Sequence, residues 1–88
     1  MQNDIYFPTL SDALDAFRAQ IEKKGGTFVA CVTPEIIAEK FAGGVQYEET
    51  RAASFALQTY KGRNTGKYAS LSIYRMPSGN YELTAYIV

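Results

Sequence analysis

The chain has 88 residues, 47% hydrophobic and 20% charged, which is enough apolar material for one small core and lacks the charge-rich, aromatic-poor signature of disorder. Nine Lys/Arg balance nine Asp/Glu, so no whole-molecule basic field exists to hold nucleic acid or an anionic membrane, and any such contact has to be local. With no His at all, Ser-His and Cys-His nucleophile activation and most zinc sites are excluded.

The N-terminal stretch MQNDIYFPTL has neither a cationic nor a long apolar segment of the kind an export signal needs, and no apolar run approaches the roughly 18 residues of a membrane span. A single domain over 1–88, not exported and not membrane-inserted, is the expectation. Next comes TLSDALDAFRAQIEKKGG, in which Leu10, Leu14, Phe17 and Ile21 recur at helical spacing, with Ala13 widening the stripe. Thr9 or Ser11 can cap this helix, Asp12 and Asp15 favour its first turns, and Lys23, Lys24 and Gly25 suit its end.

TFVACVT (27–33) is a continuous β-favouring apolar run and predicts a strand buried on both faces, central in its sheet. The lone Cys31 inside it has no disulfide partner and is expected to behave as a small buried hydrophobe, which fits a reducing, cytoplasmic setting. Thr33-Pro34-Glu35 then reads as a helix start, and PEIIAEKFA makes about two turns before Gly43-Gly44. VQYEET is a weak strand or an extended lead-in. Beyond it the period changes to two: Phe55, Leu57 and Thr59 share one face of ASFALQTY, Ala69, Leu71 and Ile73 one face of KYASLSIYR, and Tyr81, Leu83, Ala85 and Ile87 one face of YELTAYIV. KGRNTG and MPSGN supply the Gly, Asn and Pro that hairpin turns require. The predicted fold is α+β, in the order α-β-α-β-β-β-β, with four or five antiparallel strands and the long and short helices packed on one face.

Few residue clusters carry a chemical signal. Glu48-Glu49 and the Glu35/Glu39 pair keep carboxylate catalysis formally open, although nothing in their spacing demands a shared site and solvated surface is the simpler reading. Gly25-Gly26 and Gly43-Gly44 match helix C-caps better than phosphate loops, and GRNTGK (62–67) has the wrong spacing for one and precedes a strand. No cofactor, metal or catalytic residue is assigned, and the chain is read as non-catalytic.

The remaining signal is a surface. Residues 1–50 hold four Lys/Arg against eight Asp/Glu, whereas residues 51–88 hold five against one. Within that basic half, Lys61, Arg63 and Lys67 crowd one hairpin loop. Alternation sets Tyr60, Tyr68, Tyr74 and Tyr86 on the sheet face away from the core, with Arg51 and Arg75 expected nearby. Tyr offers rigid contact area at low entropic cost, so the face reads as a protein-binding surface of an interaction or regulatory protein. A second copy of the chain, through this face or through the C-terminal strand as an edge, is one such partner. Cations beside stackable rings also suit single-stranded nucleic acid, which makes a module gripping phosphates through Lys61, Arg63, Lys67 and Arg75 the alternative reading. Charged hairpin tips also serve solubility, and Tyr is a good strand former. The short helix or the segment DIYFPTL could instead fold across the tyrosine face and cover it.

Overall fold

The computed structural model describes residues 5–58 and 64–88. Its elements are β1 (Tyr6–Phe7), α1 (Leu10–Lys23), β2 (Thr27–Phe28), α2 (Pro34–Glu39), β3 (Thr50–Gln58), β4 (Asn64–Arg75) and β5 (Tyr81–Ile87). The strands form one antiparallel sheet in the order β1-β5-β4-β3-β2, with the long helix and the short one beside it, so the fold is α+β as the patterning predicts.

Helix α1 begins just after Thr9, an extended cap residue whose hydroxyl accepts from the Asp12 N–H at 3.1 Å. It ends in a left-handed turn at Gly25 (φ 88°), where the Gly26 N–H reaches back to the Ile21 carbonyl at 2.9 Å. A side chain at Gly26 would lie 2.8 Å from Ile21 Cγ2, so the second glycine is required by space. In between, Ala13, Leu14, Phe17 and Ile21 are buried against Phe55, Leu57, Ala69, Leu71, Ile73 and Leu83 of the three long strands. Phe17 sets the spacing between layers, its ring 5.7 Å from Phe28 and 6.0 Å from Phe55.

Helix α2 uses the same device: the Thr33 hydroxyl accepts from the Ile36 N–H at 3.2 Å and Pro34 opens the first turn. It spans only six residues, then tightens into successive turns that deliver Phe41 and Val45 to the core. The Arg51 side chain holds this exit. Its guanidinium donates to the carbonyls of Lys40, Ala42 and Gly44 at 3.0, 3.0 and 2.7 Å and lies 5.6 Å from the Phe41 ring centroid.

Four expectations are corrected. The run 27–33 is not a central strand: only Thr27 and Phe28 pair, with Gln58 and Leu57, at the sheet edge. After Val29 donates to the Ala56 carbonyl, the chain closes a turn through Val32 N–H to Val29 O at 2.9 Å and climbs to α2. The Thr33-Pro34 helix start leaves too few residues to finish a strand and still reach the helix layer. Cys31 therefore sits exposed in a turn. VQYEET is a lead-in and not a strand of its own: 45–49 turn, with Glu48 at φ 61° and the Glu49 carboxylate accepting from the Gln46 N–H at 2.9 Å, and Thr50 opens β3. Finally, Ile5–Phe7 forms an edge strand beside β5, with Tyr6 opposite Glu82 and the Leu83 N–H donating to the Ile5 carbonyl, so the element order opens on a strand.

Among the described residues no helix is long and apolar enough to cross a membrane. Two outcomes test this architecture. Arg51→Met, which keeps much of the apolar stem but frees three carbonyls, should lower the urea unfolding free energy by about 1–3 kcal/mol with an unchanged m value. The Cys31 thiol should react with a thiol-specific reagent in the native protein about as fast as in the unfolded chain; protection on folding would contradict its place in the turn.

Candidate functional site

Strand alternation divides the sheet cleanly. Odd positions in β3, β4 and β5 (Phe55, Leu57, Ala69, Leu71, Ile73, Leu83) face the helices and are buried. Even positions face away, and both helices pack on the other side. The register assembles these outward residues into rows. Thr50, Tyr74, Glu82 and Tyr6 lie side by side, then Ala52, Ser72 and Thr84, then Ser54, Ser70 and Tyr86, then Ala56 and Tyr68 beside Val88.

The face is thus a floor of Ala, Ser and Thr with rings around it. Tyr6, Tyr68 and Tyr86 are 52%, 45% and 47% exposed, while Tyr74 is half-buried. Ser70, in the middle of its row, is buried, and its hydroxyl is 2.8 Å from that of Ser54 on the neighbouring strand. That bond satisfies the buried Ser70 hydroxyl and joins β3 to β4 on the open side. Neither α2 nor the segment beginning at Ile5 lies over the face: Ile37 is buried in the core, and Ile5–Phe7 is engaged at the β5 edge.

Tyr68, Tyr74 and Tyr86 of the predicted partner-binding set therefore share this face. Tyr6 joins them through a two-residue strand too short to leave a periodic signal, whose Phe7 packs against the core. Lys67 is exposed in β4 next to Gly66, whose φ of 76° accompanies the break in β3–β4 register between Ala56 and Gln58. Tyr60, Lys61 and Arg63 lie outside the described residues.

Arg51 and Arg75 are not on the tyrosine face. Both occupy odd positions, so their side chains project to the helix side, Arg51 onto the α2 exit. Arg75 stacks between two rings, 4.1 Å from the Tyr47 centroid and 5.1 Å from that of Tyr81, and donates to the carbonyls of Val45 and Gly79 at 3.4 and 3.5 Å. It fastens the turns at one end of the sheet. Of the charged residues described, the open face carries Glu82 and none of the arginines, so the charge separation seen along the chain does not become a basic tyrosine surface.

The carboxylate pairs lie at the surface. Glu35 and Glu39 are exposed on α2, and Glu49 is engaged within its turn. Among the described residues no three His, Cys, Asp or Glu side chains gather where an ion could bind. Two open depressions lie elsewhere. One of about 390 Å³ runs between the helices over Leu10, Leu14, Ile37 and Ala38, and one of about 580 Å³ lies beside the β5 edge near Lys23 and Lys24. No known protein family, curated protein or solved structure matches this chain.

The two kinds of aromatic site should respond differently to substitution. Arg75→Met is expected to destabilise the fold by about 1–3 kcal/mol in chemical denaturation. Tyr68→Ser, on the open face, should cost less than about 1 kcal/mol.

Proposed function

We propose that this protein is a small non-catalytic interaction module that binds another protein through the open face of its sheet. The single observation that carries the reading is the exposure of Tyr6, Tyr68 and Tyr86 together on one side of a sheet whose other side is the core. Rings over a floor of small, neutral side chains present apolar area with hydroxyl rims, and such surfaces supply the anchors of protein interfaces. The Ser54–Ser70 bond means that docking does not strand a buried hydroxyl. In sequence, Lys61, Arg63 and Lys67 put three cations at or beside the connection between β3 and β4, which suits an acidic partner, and a regulatory role follows if the partner's own activity is what the module modulates.

No observation on the described face favours nucleic acid, because Arg51 and Arg75 are engaged on the helix side and Glu82 lies among the rings. The same experiment separates the two readings. A photoreactive amino acid replacing Thr84 should crosslink a discrete partner, one at Asp15 on α1 should not, and with the partner identified Tyr68→Ala and Tyr86→Ala should each weaken binding by about 1–2 kcal/mol. Retained affinity in the folded double variant would remove the face from consideration. In parallel, fluorescence anisotropy with single- and double-stranded oligonucleotides at low salt should show no binding. Tight, salt-sensitive binding lost on Lys61/Arg63/Lys67→Glu would instead identify a phosphate-gripping hairpin, with a slope of about 0.7 log units per single-strand contact.

A further inference from the structure

The two edges of the sheet are finished differently. At the β5 edge, β1 pairs with Tyr81 and Glu82, Ile5 accepts the Leu83 N–H, and the Lys24 ammonium donates to the Ala85 carbonyl at 3.1 Å. A strand approaching there meets an existing strand and a cation.

The β3 edge has no such finish over its first half. β2 pairs only with Leu57 and Gln58, and Val29 reaches the Ala56 carbonyl, leaving Thr50 to Phe55 without a strand neighbour on that side among the described residues. Hydrogen-bond parity shows which main-chain groups are left over. The Tyr68 N–H and C=O both bond Val88, so even residues of β4 bond β5 and odd ones bond β3. Arg75 conforms, its N–H donating to the Glu49 carbonyl and its carbonyl accepting from Glu48. Consequently Arg51, Ala53 and Phe55 bond β4, while Thr50, Ala52 and Ser54 direct their N–H and C=O outward, in the same direction as the Ala56 carbonyl. Ala52 and Ser54 are exposed, no proline or bulge interrupts 50–55, and the Arg51 charge is held on the α2 exit.

We infer that a second copy of the chain pairs with this edge, β3 against β3, antiparallel about a two-fold axis at Ala52, to form a continuous sheet across two molecules. In that register Ala52 faces Ala52 of the other copy and Thr50 faces Ser54, so every residue with outward main-chain groups meets another, and each such pair exchanges both N–H···O bonds. Arg51 falls opposite Ala53, so no like charges meet. Self-pairing is favoured over a foreign peptide by what the edge lacks. Strand addition selects its ligand through pockets for alternate side chains, and Ala52, Ala53 and Ser54 offer only methyls and a hydroxyl. Those small groups do allow a symmetric contact in which both partners contribute the same surface. The axis runs perpendicular to the sheet, which puts both tyrosine faces on the same side, next to one another. The pairing stands on the β3 edge alone and does not depend on what the tyrosine face binds.

Sedimentation velocity and light scattering over a concentration series should show reversible passage from 9.8 kDa to twice that mass. Ala52→Lys and Ala52→Glu should each be monomeric, because each places two like charges across the axis. An equimolar mixture of the two should dimerise, since position 52 faces itself only in this arrangement. Amide exchange on the wild type gives a readout free of substitution: the Ala52 and Ser54 N–H groups should gain protection as concentration rises, while the Thr84 N–H, bonded within the sheet, should not change. A wild type that stays at the single-chain mass at every soluble concentration overturns the inference. So does a dimer that persists in Ala52→Lys, a mixture that fails to re-form it while both variants retain the wild-type circular dichroism spectrum, or an Ala52 N–H indifferent to concentration.

Discussion

Everything in this molecule follows from the contact of one amphipathic helix with one side of a sheet. Phe17 is completely buried, and its ring meets Phe28 from the β2 edge and Phe55 from β3. Ala13 beside it is also fully buried, small enough for the helix to settle close to the strands. The burial of apolar area at this seam is the dominant favourable term available to so short a chain. It also dictates the asymmetry, since two helices with 14 and six residues can cover only one face of five strands.

The arginines complete the frame. Most small α+β domains must satisfy helix-end carbonyls and long turns with few residues to spare, and here one side chain does each job. Arg51 gathers the carbonyls of Lys40, Ala42 and Gly44 at and beyond the end of α2, where a helix leaves its last acceptors without intrahelical partners. Arg75 binds the turn around Val45–Glu48 to the β4–β5 hairpin by stacking between Tyr47 and Tyr81. Both guanidiniums are therefore engaged in fastening turns to strands, so the sheet ends are held by polar geometry where the apolar core runs out.

What remains available for interaction is the part of the sheet that neither device reaches. On the open side, rings stand over a small-residue floor whose enclosed hydroxyl is already bonded. At the β3 edge, main-chain groups point outward beside alanine and serine. The two features are independent in chemistry, one being side-chain area and the other backbone valence. The proposed edge pairing would extend the sheet within its own plane and leave the rings uncovered.

Local patterning settled a good deal of this before any tertiary contact was considered. The stripe Leu10, Leu14, Phe17, Ile21, the Thr9 and Thr33 caps, and the alternation through 69–73 and 81–87 all act over one or two turns or a few strand residues, so they survive in the linear sequence. That is also why Tyr68, Tyr74 and Tyr86 could be assigned to one face from parity alone. The run 27–33 could not be read this way, because an apolar segment without a period looks the same as a buried strand or as a connection. The end of pairing at Phe28 and the turn closed from Val29 to Val32 ahead of α2 decided between them. Nor could parity at Arg75 show that its charge would be engaged between Tyr47 and Tyr81, residues 28 positions before and six after it, since that pairing exists only once the turns are brought together. The sequence by itself determined the two helices, the three long strands and the two faces of those strands. Tertiary structure alone decided which strand became the edge, where the arginines were held, and that Tyr6 joined the open face, because each of these rests on contacts between segments with no local signature.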